Sequence, residues 1–89
     1  MEIFEGNIAK SKAGRDKGRL FVVIKVIDDK YVLIADGELR KAEKPKKKKN
    51  IHLQFYNKAV DLQNISSHDE NHLNSSIRKL IISVANKIE

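Results

Sequence analysis

The sequence predicts a small, mainly β domain of about five strands followed by a C-terminal amphipathic α-helix. Two runs, residues 19–27 and 31–35, are apolar and rich in β-branched and aromatic side chains, which favours strands. After residue 67 the apolar residues recur with helical spacing instead. A chain of 89 residues has material for one hydrophobic core, so a single thin layered domain is expected.

Turn signals delimit the expected strands. Residues 19–27 are apolar on both sides, which indicates a central strand with Leu20, Val22, Ile24 and Val26 on one face and Phe21, Val23 and Ile27 on the other. Residues 28–30 form a turn that makes a hairpin with the run 31–35. The Asp36-Gly37 pair is typical of a second hairpin turn, and a short strand is expected at residues 38–42.

The rest of the chain is expected to contain a loop, a closing strand and a helix. Residues 44–50 hold five lysines and one proline, which predicts a loop. Residues 51–56 alternate in polarity and are expected to form the closing strand. The helical stripe suggests Asn71 or Asn74 as the cap. The stripe consists of Leu73, Ile77, Leu80, Ile81, Val84 and Ile88.

The charge is unevenly distributed along the chain. Residues 1–50 contain 14 basic and 8 acidic side chains, whereas residues 51–89 contain 4 of each, so the whole net charge of +6 lies in the first part. A basic N-terminal part and a neutral C-terminal part suggest a polyanionic partner, since each Lys or Arg placed on a phosphate releases counterions. Ordinary solubilising charge is the alternative.

Several function classes are not expected. The chain has no cysteine, and its longest apolar run, residues 20–24, is too short to span a membrane. No secretory signal is visible, so a cytoplasmic protein is expected. His68 and His72 have zinc-protease spacing, but Asp69 stands where that pattern needs glutamate. We therefore expect no metal, no cofactor, no catalytic residues and no enzymatic activity.

Residues 13–18, Ala-Gly-Arg-Asp-Lys-Gly, form a basic, glycine-containing loop. Gly14 and Gly18 allow its backbone to approach a phosphate closely, while Arg15 and Lys17 supply positive charge. A polar hairpin connection with internally paired charges is the alternative interpretation.

The lysine run, residues 46–49, is the larger electrostatic feature of the sequence. It is expected to form a phosphate clamp, with a merely solvated loop as the alternative. Few aromatic residues are interleaved with it, which favours folded RNA held through its backbone over a single strand bound by stacking.

Residues 5–32 resemble a KOW motif, the strand-loop-strand unit of several ribosomal proteins and of transcription elongation factors of the NusG type. Gly6 opens the first strand, residues 13–18 occupy the basic loop, Gly18 falls at the signature glycine, and residues 21–26 match the apolar second strand. Residues 32–37, the Arg40-Lys41 pair and residues 44–53 are similar to the fourteen-e family of large-subunit ribosomal proteins and its small bacterial relatives.

The resemblance covers residues 5–55 and implies an SH3-like β-barrel of the KOW type that binds RNA, usually ribosomal. We therefore predict a barrel at residues 1–57, a linker at 58–71, and a helix at 72–89 packed on the barrel or on a partner. The predicted function is RNA binding as a ribosomal or ribosome-associated module, with ribosomal proteins as further candidate partners and no membrane. The alternatives are an SH3-like protein-interaction module and a transcription-associated KOW factor. The predicted RNA-binding residues are Lys12, Arg15, Lys17, Arg19, Arg40, Lys41, Lys44, Lys46, Lys47, Lys48 and Lys49.

Overall fold

The structure, a computed structural model, describes residues 3–59 and 70–88 and confirms the predicted fold class. Five antiparallel strands form one sheet in the order β4-β3-β2-β1-β5, curled into a half-barrel of the small SH3-like type. The strands are β1 (Asn7–Ser11), β2 (Leu20–Val26), β3 (Tyr31–Ala35), β4 (Lys46–Lys49) and β5 (Leu53–Ala59). A 3-10 turn, Asn50–His52, precedes β5, and one helix, α1 (Glu70–Ile88), follows it.

The sheet is covered on both faces, as the apolar pattern of β2 predicts. Face 1 carries Ala9, Phe21, Val23, Val32, Ile34 and Leu53, all buried. Face 2 carries Ile8 and Val22, which pack against α1 through the fully buried Ile77. Because β2 contributes to both clusters, it is the central element of the core.

A bulge in β2 changes the predicted alternation. The pairing with β3 shifts register between Val23 and Lys25, so the side chains beyond the shift exchange faces. Val26 therefore packs with the face 1 cluster instead of beside Val22. Ile27, expected inside, is 42% exposed.

The strand expected at residues 38–42 is wrong. Asp36 Oδ1 accepts hydrogen bonds from the backbone N–H groups of Glu38 and Arg40, both at 2.9 Å. An aspartate side chain that holds two nearby backbone groups favours a compact turn over a strand. A second turn at residues 42–43 continues the connection to β4.

The loop expected at residues 44–50 is also wrong over most of its length. Lys46–Lys49 is the edge strand β4, paired antiparallel with β3 so that Ile34 lies opposite Lys46 and Tyr31 opposite Lys49. The closing strand starts at Leu53, two residues later than predicted. Ile51 lies in the 3-10 turn and is 74% exposed.

Polar contacts fix α1 to the turns between β3 and β4. Asn74 Oδ1 accepts from the backbone N–H of Ala42 at 2.8 Å, and its Nδ2 donates to Glu43 Oε2 at 2.9 Å. Arg78 donates to the carbonyl oxygen of Gly37 at 2.8 Å. Asn74 is thus a docking residue within the helix and not its cap. The helix begins at Glu70, and the predicted linker falls largely outside the described residues.

The β1–β2 hairpin closes at Gly18, which has a φ of 91°. Its N–H donates to the carbonyl of Ser11 at 2.8 Å. A Cβ added here meets nothing within 4 Å, so the effect of a substitution is conformational and not steric. We expect Gly18→Val to lower the free energy of unfolding by about 1–3 kcal/mol. Gly18→Asn should lower it less, because asparagine tolerates positive φ better. Urea denaturation measures the stability of both variants. Equal stability of the valine variant and the wild type would contradict a positive φ at Gly18.

Candidate nucleic-acid interface

The loop at residues 13–18 is a compact double turn that presents two cations. The N–H of Lys17 donates to the carbonyl of Gly14 at 3.2 Å, and that of Arg19 donates to the backbone carbonyl of Asp16 at 2.9 Å. Arg15 and Lys17 are exposed, whereas Asp16 between them is buried. The turns therefore direct the two predicted cations to solvent and the carboxylate inward.

Strand β4 divides the four lysines between the two faces of the sheet. Lys46 lies opposite Ile34 and Lys48 opposite Val32, which places both on face 1. Lys47 and Lys49 alternate to the other face and are exposed. The lysine run, expected to form a phosphate clamp, therefore consists of two pairs with different surroundings.

The face 1 pair contacts the loop at residues 13–18. Lys46 Nζ lies 2.6 Å from Asp16 Oδ2, and Lys48 Nζ donates to the carbonyl oxygen of Ala13 at 3.3 Å. Both lysines are half-buried, with their aliphatic stems beside the apolar residues of face 1. Two basic segments about 30 residues apart in sequence thereby form one continuous surface.

Asp16 is the acidic centre of this surface. The hydrogen bond from Lys46 lowers the pKa of Asp16 against the opposing effect of burial, and the charges of Lys46, Lys48 and Arg40 lower it further. Arg40 thus acts on the same carboxylate. We call Arg15, Lys17, Arg40, Lys46 and Lys48 the loop–strand surface; its positive charges outnumber the one carboxylate among them.

The depressed pKa of Asp16 gives a pH-dependent contribution to stability. The ion pair with Lys46 contributes fully above the ordinary carboxyl pKa of 3.8 and is lost as the pH falls through the lower folded value. Asp16→Asn should therefore be less stable than the wild type at neutral pH, and the difference should shrink below pH 3.8. Thermal melts of both proteins across this range measure the difference. A gap that is constant with pH would contradict the ion pair.

The opposite face of β4 has its own partners. Lys47 Nζ lies 4.5 Å from the centroid of the Tyr31 ring, so Tyr31 is half-buried beneath a cation. Backbone N–H groups of Lys30 and Tyr31 lower the pKa of Asp28, and the charge of Lys47 contributes. This pair of lysines faces away from the loop at residues 13–18.

Three further predicted RNA-binding residues, Arg19, Lys41 and Lys44, lie beside other acidic groups. Arg19 forms an ion pair with Asp36 at 3.0 Å. Lys41 and Lys44 are exposed on the turn beside Glu43, whose pKa is lowered mainly by hydrogen bonds from Asn74 and from a backbone N–H, with a smaller contribution from the two lysine charges. Lys41 and Lys44 therefore belong to the turn that holds α1.

Lys12 is exposed beside the loop, and its backbone N–H donates to the carbonyl of His52 at 2.8 Å. Gly14 has a φ of 78°, and a Cβ there would lie 3.8 Å from Lys48 Nζ. Both therefore border the loop–strand surface. Sequence reasoning did not identify Asp16 as the link between its two segments, although a lone acid between two cations is a visible signal.

Within residues 3–59 and 70–88, no group of three His, Cys, Asp or Glu side chains could hold a metal ion. His68 and Asp69 lie outside this part of the chain. The described helix is not apolar enough to cross a bilayer. Comparison of the chain with protein-family models and with curated proteins gives no match. The fold and the loop–strand surface therefore define the class only as a small β domain with a basic surface.

Proposed function

We propose that this protein is a non-enzymatic RNA-binding module of the KOW type that holds folded RNA through phosphate contacts at the loop–strand surface. The expected partner is ribosomal RNA within a ribosome or a ribosomal assembly, in the cytoplasm. The proposal rests on the surface chemistry together with the sequence resemblance.

The observation that supports it best is the 2.6 Å contact between Lys46 and Asp16, which brings the basic loop and the basic strand together. Phosphate binding requires several cations within reach of one nucleic-acid backbone. Arg15 can grip a phosphate with two hydrogen bonds, while Lys17 and Lys48 act as point charges. Backbone N–H groups of a glycine-containing loop are further donors to phosphate oxygens.

The mode of binding follows from what surrounds these cations. The loop–strand surface contains no aromatic residue, and Tyr31 lies on the other side of β4 beneath Lys47. This surface therefore offers no aromatic ring for base stacking. Contacts to phosphates fix register and orientation without reading sequence, which suits a folded RNA recognised by its shape.

Co-sedimentation of the protein with purified ribosomal subunits across a salt series tests the proposal. We expect retention at low salt, release as salt rises, and a preference for one subunit over an equal mass of unrelated folded RNA. The Arg15→Ala/Lys17→Ala variant should be released at lower salt than the wild type. Equal release from ribosomal and unrelated RNA would contradict the ribosomal part of the proposal, and no binding to either would contradict RNA binding.

A further inference from the structure

A cleft of about 290 Å³ lies between face 2 of the sheet and the second half of α1. Leu20 and Tyr56 of the sheet and Ile81 and Ala85 of the helix form its apolar lining. Gly18, the last residue of the basic loop, stands at its border. The cleft therefore adjoins the proposed RNA-binding loop but faces the opposite side of the sheet from Lys46 and Lys48.

The polar groups at this cleft carry both signs of charge. Arg19 and Asp36 form an ion pair at 3.0 Å, and Asp36 also holds the backbone N–H groups of its own turn. Glu38, Lys10 and Arg78 line the cleft as well, and within the described part of the chain none of the three forms an ion pair. Outside the Arg19–Asp36 ion pair, the cleft thus offers one carboxylate, one ammonium group and one guanidinium group above an apolar floor.

This combination selects an amphoteric, flat ligand. A purely apolar ligand would leave Glu38 and Lys10 unpaired, and a simple ion would leave the apolar floor uncovered. A nucleobase has apolar faces and both donors and acceptors along its edge, and single-stranded RNA is recognised by such groups when its bases are unstacked. Tyr56, half-buried in the cleft, supplies an aromatic ring beside them.

We infer that this cleft binds one unstacked nucleobase of an RNA whose backbone crosses the loop at residues 13–18. The inference rests on the proposed function and adds base discrimination to it. Glu38 accepts a hydrogen bond from an exocyclic amino group, which cytosine has and uracil lacks. Lys10 contacts the phosphate of the same nucleotide.

The experiment titrates the whole ¹⁵N-labelled protein with three probes: cytidine monophosphate, uridine monophosphate and ribose 5-phosphate. We expect saturable shifts of the amides of Arg19, Leu20 and Ile81 with the nucleotides and not with ribose 5-phosphate. Cytidine monophosphate should bind about fivefold or more tightly than uridine monophosphate. Glu38→Ala should abolish that preference, because it removes the hydrogen-bond acceptor. It should leave the fold intact, because the Glu38 side chain is exposed and the turn is held by Asp36.

A matched pair of helix variants separates the cleft from the rest of the molecule. Ala85→Leu fills the cleft and should remove the nucleotide-dependent shifts, whereas Ser83→Leu, at an exposed position on the same helix, should keep them. Equal shifts with ribose 5-phosphate, persistence of the shifts in Ala85→Leu, or a response to an amphipathic peptide in place of either nucleotide would each overturn the inference. The proposed function fails separately, through an unchanged salt dependence in the Arg15→Ala/Lys17→Ala variant.

Discussion

The Gly37→Ala variant is expected to lose the packing of α1 on the sheet. A Cβ at position 37 would lie 2.2 Å from the carbonyl oxygen of Asn74 and 3.1 Å from Cγ of Arg78. The nearest obstacle is helix backbone, which cannot rotate away as a side chain can. The turn or the helix must therefore move, and the hydrogen bond from Arg78 to the Gly37 carbonyl goes with it.

The free energy of unfolding should fall by roughly 3 kcal/mol or more, because the fully buried Ile77 loses its contacts in addition to the strain at position 37. Gly14→Ala is the matched control: Gly14 has the same φ of 78°, but a Cβ there meets only the end of the Lys48 side chain at 3.8 Å. The Gly14→Ala variant therefore measures only the loss of stability caused by an alanine at positive φ. Denaturant unfolding of both variants measures the difference, and equal midpoints would show that the helix does not dock against Gly37.

The second large effect is expected on RNA affinity. Neutralising the loop cations and the face 1 lysines together, by Arg15→Ala, Lys17→Ala, Lys46→Gln and Lys48→Gln, removes four candidate phosphate contacts. At about 0.7–0.9 per contact, the slope of log affinity against log salt should fall by about 2.8–3.6 in magnitude. The loop substitutions alone should account for about half of this change, roughly 1.4–1.8.

The loss should be similar for many RNAs, because phosphate contacts carry little sequence information. Filter binding of several folded RNAs across a salt series measures the slopes, with far-UV circular dichroism and melting temperature as the controls for folding. A loss restricted to one RNA sequence would contradict phosphate binding at the loop–strand surface.

The strands and the helix that bury apolar side chains were predictable from sequence. The alternation in β2 and β3 and the helical stripe through Leu73, Ile77 and Ile81 specify local structure directly. The bulge at β2 was not predictable, since both faces of that strand are apolar and a shift of register leaves the composition of each face almost unchanged. The shift changes the positions of Lys25, Val26 and Ile27.

Strand β4 could not be predicted because nothing in Lys46–Lys49 favours a strand locally. Its conformation comes from pairing with β3, a contact with residues about 15 positions away in sequence. The lysine stems then cover apolar residues of face 1, which makes a lysine run compatible with a barrel edge. Tertiary pairing thus overrides the local signal at this strand.

The candidate site was predictable only in the parts that depend on local sequence. The exposed cations Arg15 and Lys17 follow from the glycine-containing loop itself. Lys46 and Lys48 lie on one face and Lys47 and Lys49 on the other only because the segment is a strand. The sequence alone therefore predicts a single site for all four lysines. The role of Asp16 depends on a contact across about 30 residues, and the cleft at α1 depends on how the helix docks.

We propose that RNA binds where the loop and one face of β4 meet. The most direct measurement compares Lys46→Gln/Lys48→Gln with Lys47→Gln/Lys49→Gln, which remove the same charge from the same strand on opposite faces. Both are assayed for RNA affinity across a salt series at a temperature where each is fully folded. We predict that the face 1 variant lowers the magnitude of the salt slope by about 1.4–1.8, while the other variant leaves it close to the wild-type value. Equal effects of the two variants, or a larger effect of Lys47→Gln/Lys49→Gln, would contradict the claim.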